Sequence, residues 1–312
     1  MTVPFFSGAD VERAVSPHEA YDAVKAAFIA HSKGEWTMPP KLYVTNYPAG
    51  DFRAMPALGG GHALLKWVTS FPGNPSKGLP TVTGLVLLSD AETGALLALL
   101  DAAEVTALRT AAAAVIAAET LCRPGAGSVA VVGCGVNGAE TARMFRALGS
   151  DVVLWDVDAA RAAEVAERLG AHVAASQADA LAADIVVTVT PGRDILFPAG
   201  SLREGQHVSL MGADGPGKAE VAVAELQRAD LFCDDWEQAS HGGQLAAGVV
   251  AGIVTRGRVT ELGRVLAGEA EGRRSARDIT LFDSTGLAIQ DLAIAKVAAA
   301  KTGEMDLQQL EL

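Results

Sequence analysis

An apolar run, Ser128-Val-Ala-Val-Val132, stops at Gly133-Cys-Gly135-Val136-Asn137-Gly138 and passes directly into helix-compatible sequence from Ala139. A second short apolar run, Val152–Trp155, then ends in Asp156. Strand, glycine turn, helix, strand and acid follow one another in the order of a dinucleotide-binding βαβ unit. Each part has a physical task. Gly133 makes the tight turn, Gly135 lets the backbone approach a pyrophosphate, and Gly138 lets the helix pack closely on the strand. The helix N-terminus supplies N–H donors and partial positive charge to the phosphates. A glycine turn alone is a weak signal; with both strands, the helix and the acid in place the match is strong.

Asp156 bears on which nucleotide binds. A carboxylate at the end of the second strand accepts hydrogen bonds from the adenosine ribose and repels a 2′-phosphate. The next arginine is Arg161. NAD(H) is therefore favoured over NADP(H), against the plainer reading of a solvated strand-end acid.

A chain of 312 residues, 50% hydrophobic and 5% aromatic, holds about two domains and buries a full core without staples. The net charge of −12 argues against nucleic acid as a partner. Cys122, Cys134 and Cys233 lie far apart with no CxxC spacing, so they read as reduced cysteines rather than a disulfide frame or a metal site. No cationic stretch precedes an apolar core near Met1, and the alanine-rich stretch Ala111–Ala118 is too short to span a bilayer. The expectation is a soluble, cytoplasmic protein with a small-molecule partner and no membrane partner.

Helical spacing runs from about residue 9 to 34, and Pro39-Pro40 breaks it. Ala63–Ser70 reads as a buried strand carrying Lys66, followed by a hairpin of Thr81–Ser89 with Ala95–Leu100 and a helix over Glu104–Leu121. From Ser128 onward strands at 129–132, 152–155, 172–175, 185–190, 207–211, 231–233 and 279–282 alternate with helices. Such alternation indicates a parallel sheet covered on both faces. A last helix is expected over Gly286–Thr302. The fold class is α/β, a doubly wound Rossmann sheet with a second, smaller α+β domain. The boundary is placed at Pro124-Gly125, and the final helix is expected to return to the first domain.

Two constellations could carry chemistry. The first half places basic side chains in apolar or turn-rich sequence: Lys41, Arg53, Lys66 and Arg109. Lys66 is the sharpest, because a charge inside a buried strand costs several kcal/mol if unpaired; the alternative is an edge residue with its ammonium in solvent. Arg109 lies on an otherwise apolar helix, where an arginine often only snorkels. Together they invite an anionic ligand such as an α-carboxylate. The second constellation is Met211-Gly-Ala-Asp214-Gly-Pro-Gly-Lys218-Ala-Glu220, which follows a strand of the nucleotide domain. Asp214 suits a turn, and it equally suits proton transfer to and from a substrate nitrogen.

Several stretches together resemble the ornithine cyclodeaminase/mu-crystallin family. They are Lys66-Trp-Val-Thr-Ser-Phe-Pro-Gly-Asn-Pro-Ser-Lys-Gly-Leu-Pro-Thr81, Leu87-Leu-Ser-Asp-Ala-Glu-Thr-Gly94, Thr106-Ala-Leu-Arg109-Thr-Ala-Ala-Ala, Gly212-Ala-Asp214-Gly-Pro-Gly-Lys218 and Phe282-Asp-Ser-Thr285-Gly. The resemblance covers most of the chain. It implies a substrate-binding and dimerisation domain of residues 1–122 and 288–312 around a Rossmann domain of residues 123–287, and a homodimer. Lys66 resembles the family lysine on the substrate carboxylate, and Arg109 the arginine shared between carboxylate and cofactor. Asp214 resembles the family's proton donor and acceptor. Thr81, Val136, Asn137, Asp156, Thr190, Lys218 and Thr285 resemble positions that line the cofactor site.

Two departures bear on the activity. Lys41 stands where the cyclodeaminase has a carboxylate-binding arginine, so the charge survives without bidentate geometry. Arg53 stands where it has a glutamate that assists ornithine chemistry, and resembles instead the archaeal alanine dehydrogenase branch. The expected activity is therefore an NAD(H)-dependent amino-acid dehydrogenase or ketimine reductase. It would act on a small α-amino or α-imino acid held by Lys41, Arg53, Lys66 and Arg109, with Asp214 moving protons. The alternatives are ornithine or lysine cyclodeaminase, and a non-catalytic mu-crystallin-like protein that binds a nucleotide or small ligand.

Overall fold

A computed structural model describes residues 2–213, 215 and 217–312. The chain divides into two compact units, Met1–Arg109 with Leu287–Leu312, and Thr110–Gly286. Among the described residues no helix is long and apolar enough to cross a membrane.

The first unit contains β1 (Thr2–Phe6), α1 (Gly8–Ala14), α2 (Pro17–Ser32), β2 (Leu42–Asn46), β3 (Gly50–Gly59), β4 (His62–Ser70), β5 (Val82–Asp90) and β6 (Leu96–Asp101). It also takes the start of α3 (Ala102–Leu121). The apolar periodicity from about 9 to 34 is cut into two helices. Ser7 with Asp10, and Ser16 with Glu19, each form a reciprocal capping box, and Pro17 opens α2. Two local start signals override one long period.

In the second unit β7 (Val129–Val132), α4 (Val136–Ala147), β8 (Val152–Trp155), α5 (Ala159–Leu169) and β9 (His172–Val173) form the first half. Next come α6 (Gln177–Leu181), β10 (Ile185–Thr188), β11 (His207–Leu210), β12 (Asp230–Cys233), α7 (Trp236–Gly242) and α8 (Gln244–Val250). The unit closes with β13 (Val259–Glu261), α9 (Leu262–Leu266) and β14 (Thr280–Asp283). The chain returns to the first unit with α10 (Ala288–Ala300) and β15 (Gln308–Glu311).

Among the described residues the first unit's sheet has the order β15-β1-β6-β5-β4-β3-β2. It is antiparallel except where β1 joins β6. Alternation along β4 buries Leu64, Lys66 and Val68 on one face and turns Leu65 and Trp67 outward. α10 packs on the face that carries Lys66, over β3 and β4.

The second unit's sheet has the order β13-β12-β14-β11-β10-β7-β8-β9, every described pairing parallel. Strands β7, β10, β11 and β14 are buried at every position, as a sheet covered on both faces requires. This is the doubly wound order, and the order in which strands are added reverses between β7 and β10, where such sheets bind ligands beyond their carboxyl ends. Short β13 and β15 give no apolar alternation in sequence and lie outside the expected elements; they form as edge strands.

Candidate functional site

In the second unit, β7 delivers Gly133 to the carboxyl edge of the sheet. Gly133 has φ +99°, and a Cβ there would stand 2.6 Å from the Val189 carbonyl oxygen. A Cβ on Gly138 would stand 1.8 Å from the Gly133 carbonyl, so a side chain would push α4 off the turn. Gly135 has nothing within 4 Å of its Cβ position and N-caps α4 without a side-chain hydrogen bond. The helix end therefore presents its amides to open space, as a pyrophosphate needs. Val136 and Asn137 form the first turn beside it, and Val136 is 69% exposed.

Asp156, buried, directly follows β8, and its carboxylate accepts from Cys134 N at 2.6 Å and Asp158 N at 2.8 Å. These bonds fix it beside the glycine turn, with Arg161 Nη1 3.5 Å from Oδ2. The neighbouring Cys134 thiol is pushed up to about 11, by burial first and Asp156 second, so it is inert. Backbone amides, open space above Gly135 and a fixed strand-end acid fit a dinucleotide.

Thr190 lies just past β10. Its hydroxyl donates to Glu220 Oε1 at 2.7 Å, while Thr188 donates to Oε2 at 2.7 Å and Gly212 N to Oε2 at 3.2 Å. Glu220 is fully buried, and burial raises its pKa. It ties together the segments that leave β10 and β11, which carry Thr190 and the Gly212–Lys218 stretch. Asp214 itself lies outside the described residues. Lys218 is half-buried beyond it. Thr285 is buried after β14, and its N and Oγ1 donate to Asp234 at 2.7 Å and 3.0 Å.

In the first unit, Lys66 is 1% exposed, which excludes the solvent-edge reading. Its Nζ donates to Asp291 Oδ1 at 2.7 Å and to Thr106 Oγ1 at 3.2 Å. Thr106 and Arg109 are three residues apart on α3, so they share a helix face. Arg109 Nε lies 3.6 Å from the same Asp291 oxygen, and its Nη1 donates to Gln290 Oε1 at 3.4 Å. Burial pushes the Lys66 ammonium down to about 8, attraction to Asp291 opposes that, and Arg109 and Arg53 push it further down. Arg109 Nε and Gln290 Nε2 are buried donors without a hydrogen-bond partner among the described residues.

Arg53 is paired with Val68 across β3 and β4, on the same sheet face as Lys66. Its guanidinium grips Asp51 with Nε–Oδ1 at 2.6 Å and Nη2–Oδ2 at 3.3 Å and lies 5.4 Å from the Tyr43 ring centre. Asp51 therefore holds that guanidinium in place. Lys41, half-buried, immediately precedes β2, and Thr81 immediately precedes β5. The structure thus brings Lys66 and Arg109 together around one acid.

Sequence reasoning does not single out that acid, Asp291. A signal for it is present nonetheless: a lone carboxylate in Ala288-Ile-Gln-Asp291-Leu-Ala-Ile-Ala, a stretch otherwise almost wholly apolar. A charge there needs a buried partner.

Residues 4–304 match the profile of the ornithine cyclodeaminase/mu-crystallin family. The alanine dehydrogenase of Archaeoglobus fulgidus is 43% identical over 296 residues, 92% of this chain and 91% of its own. The solved dimer of an archaeal alanine dehydrogenase with bound NAD superposes with a TM-score of 0.93 at 40% identity, over 100% of both chains. The Thermococcus litoralis Δ1-pyrroline-2-carboxylate reductase, solved with NADH and L-proline, gives a TM-score of 0.92 at 26% identity over 99% of this chain and 100% of its own.

Proposed function

Since this chain belongs to the ornithine cyclodeaminase/mu-crystallin family, we propose that it is an NAD(H)-dependent oxidoreductase of a small α-amino or α-imino acid, of the alanine dehydrogenase or ketimine reductase kind. The observation that carries this reading is the buried Lys66–Asp291–Arg109 cluster, in which two cations share one acid. One positive charge is left for one ligand carboxylate. Similarity to proteins named for an amino acid and an imino acid, solved with NAD and NADH, supports the same substrate class and cofactor.

The roles divide between the two units. Residues 1–109 with 287–312 would hold the substrate and the dimer contact, and residues 110–286 the cofactor. Gly133, Gly135 and Gly138 form the pyrophosphate turn with Val136 and Asn137, Asp156 takes the adenosine ribose, and Thr190, Lys218 and Thr285 complete that unit's cofactor contacts. Bound nicotinamide supplies the hydride acceptor or donor. Lys66 and Arg109, with Lys41 and Arg53, grip the carboxylate by charge-assisted hydrogen bonds worth roughly 1.5–3 kcal/mol each. Asp214 takes a proton from the amino nitrogen in one direction and returns it in the other, and serves the water that opens the imine.

The test is direct. Pyruvate or glyoxylate with ammonia should consume NADH. Ornithine turning into proline at constant NADH would replace this reading by cyclodeaminase, and NADH binding without turnover of any amino or imino acid would replace it by a non-catalytic ligand-binding protein.

The partner is a second copy of the chain, as in the archaeal alanine dehydrogenase dimer. The outward face of the first unit's sheet supports this: Leu65, Trp67, Leu85 and Leu97 stand 39%, 41%, 43% and 37% exposed on neighbouring strands. Trp67→Lys should halve the mass seen by light scattering; an unchanged mass would move the contact elsewhere.

A further inference from the structure

We propose that Asp291 is a positioning residue for the carboxylate grip, its Oδ1 aiming the Lys66 ammonium while also facing the Arg109 guanidinium. This rests on the reading of Lys66 and Arg109 as the substrate's carboxylate site.

Three elements converge on the ammonium. β4 carries Lys66 inward, α3 presents Thr106 and Arg109, and α10 presents Asp291, which is 0% exposed. The charged groups acting on Lys66 are Asp291 on α10, Arg109 on α3 and Arg53 on β3, the last already bonded to Asp51. Two of the three are cations. Asp291 is thus the group that opposes both burial and like-charge repulsion at Lys66. Its second oxygen, Oδ2, has no hydrogen-bond partner among the described residues, so its bonding is committed to the Oδ1 side. The Thr106 hydroxyl gives its proton to Ala102 O at 2.6 Å and can only accept from Lys66. The ammonium thereby has two fixed acceptors, which leaves one of its three protons for a ligand.

Packing alone does not require this arrangement. An apolar pair of similar volume often stabilises a core as well as a buried ion pair does. An apolar pair cannot hold a proton against desolvation. With Asp291 present, Lys66 titrates at about 8 and is charged at neutral pH. Loss of the acid removes the attraction and the hydrogen bond together, so Lys66 discharges at lower pH and the grip loses its cation.

The experiment reads Lys66 directly, without substrate or turnover. In protein labelled with 13C at the lysine Cε, the Lys66 resonance is assigned by its loss in Lys66→Met and followed from pH 6 to 10 by NMR. The wild-type midpoint is expected near 8, and in Asp291→Asn it should fall by about one pH unit or more, a tenfold change in protonation. The alkaline limb of kcat/KM for the amino acid should move down with it, and Asp291→Glu should restore part of the shift. An unchanged midpoint in folded Asp291→Asn protein overturns the proposal. Should that variant fail to fold, the wild-type Asp291 carboxyl carbon decides: its resonance must shift at the Lys66 midpoint, and one blind to that midpoint also overturns the proposal. A shifted midpoint in a protein that turns over no amino or imino acid would keep the positioning role and discard the proposed substrate class instead.

Discussion

In the proposed function the two units answer the same problem, holding an anion, by opposite means. The second offers backbone: amides at the start of α4, made available by glycines whose Cβ atoms would collide with neighbouring carbonyls. Those donors exist as soon as the helix does and carry no buried full charge. The first offers side chains, Lys66 and Arg109, which must be desolvated and balanced by Asp291 before they can act. Their ionisable groups follow the same contrast. His207, at the start of β11, is fully buried and neutral between Thr280 and Ser209, and burial pushes it down to about 3. Lys66 is as deeply buried yet charged. A backbone cradle is robust to pH, whereas a buried cation site is bounded by its weakest proton.

The largest effect that could break this division is at Asp214. Asp214→Asn should lower turnover by about 10²–10⁴-fold while NADH fluorescence still reports binding; unaltered turnover would remove Asp214 from the proton path. Next, Lys66→Met should weaken substrate carboxylate binding by about 1.5–3 kcal/mol, roughly 10–150-fold, measured as KM. NADH affinity should hold in that variant, and a parallel loss of it would mean that the two tasks are not divided between side chains and backbone.

The acid limb sharpens the contrast. The folded-state pKa of His207 lies below its ordinary value, so the unfolded chain binds the proton first. Stability present above pH 6.5 is lost as pH falls from 6.5 toward about 3, at about 1.4 kcal/mol per pH unit from this group. Urea titrations of His207→Gln should show a shallower acid slope than wild type; equal slopes would exonerate His207. Smallest is Asp156→Ser, expected to cost about tenfold in NADH affinity, roughly 1.4 kcal/mol, and to narrow the preference over NADPH. A preference that stays put would assign nucleotide choice to another group.

The same contrast explains what can be read in advance. The nucleotide turn is local: Gly133 to Asp156 spans one βαβ unit, and its physics depends on neighbours in sequence. That the second sheet is parallel follows from the strand–helix alternation that begins there. Lys66 and Arg109 are visible as misfits, charges in apolar surroundings. Their common partner is not, because strand and helix periodicity cannot say which faces of β4, α3 and α10 meet. Arg53 reads in sequence as a free cation for substrate; its pairing with Asp51, two residues back on the same strand face, needs only the period of two. The break between α1 and α2 is also legible, in Ser16-Pro17 and Glu19, and apolar spacing masks it.

The Lys66–Asp291 bond joins residues 225 positions apart, with all of residues 110–286 between them. During synthesis, β4 emerges long before α10 exists. Until the ribosome has made the final helix, the lysine has no acid to share its burial, and its strand must keep it wet. The proposed carboxylate grip would therefore be a late product of translation, completed only after the glycine turn and its helix have had time to form.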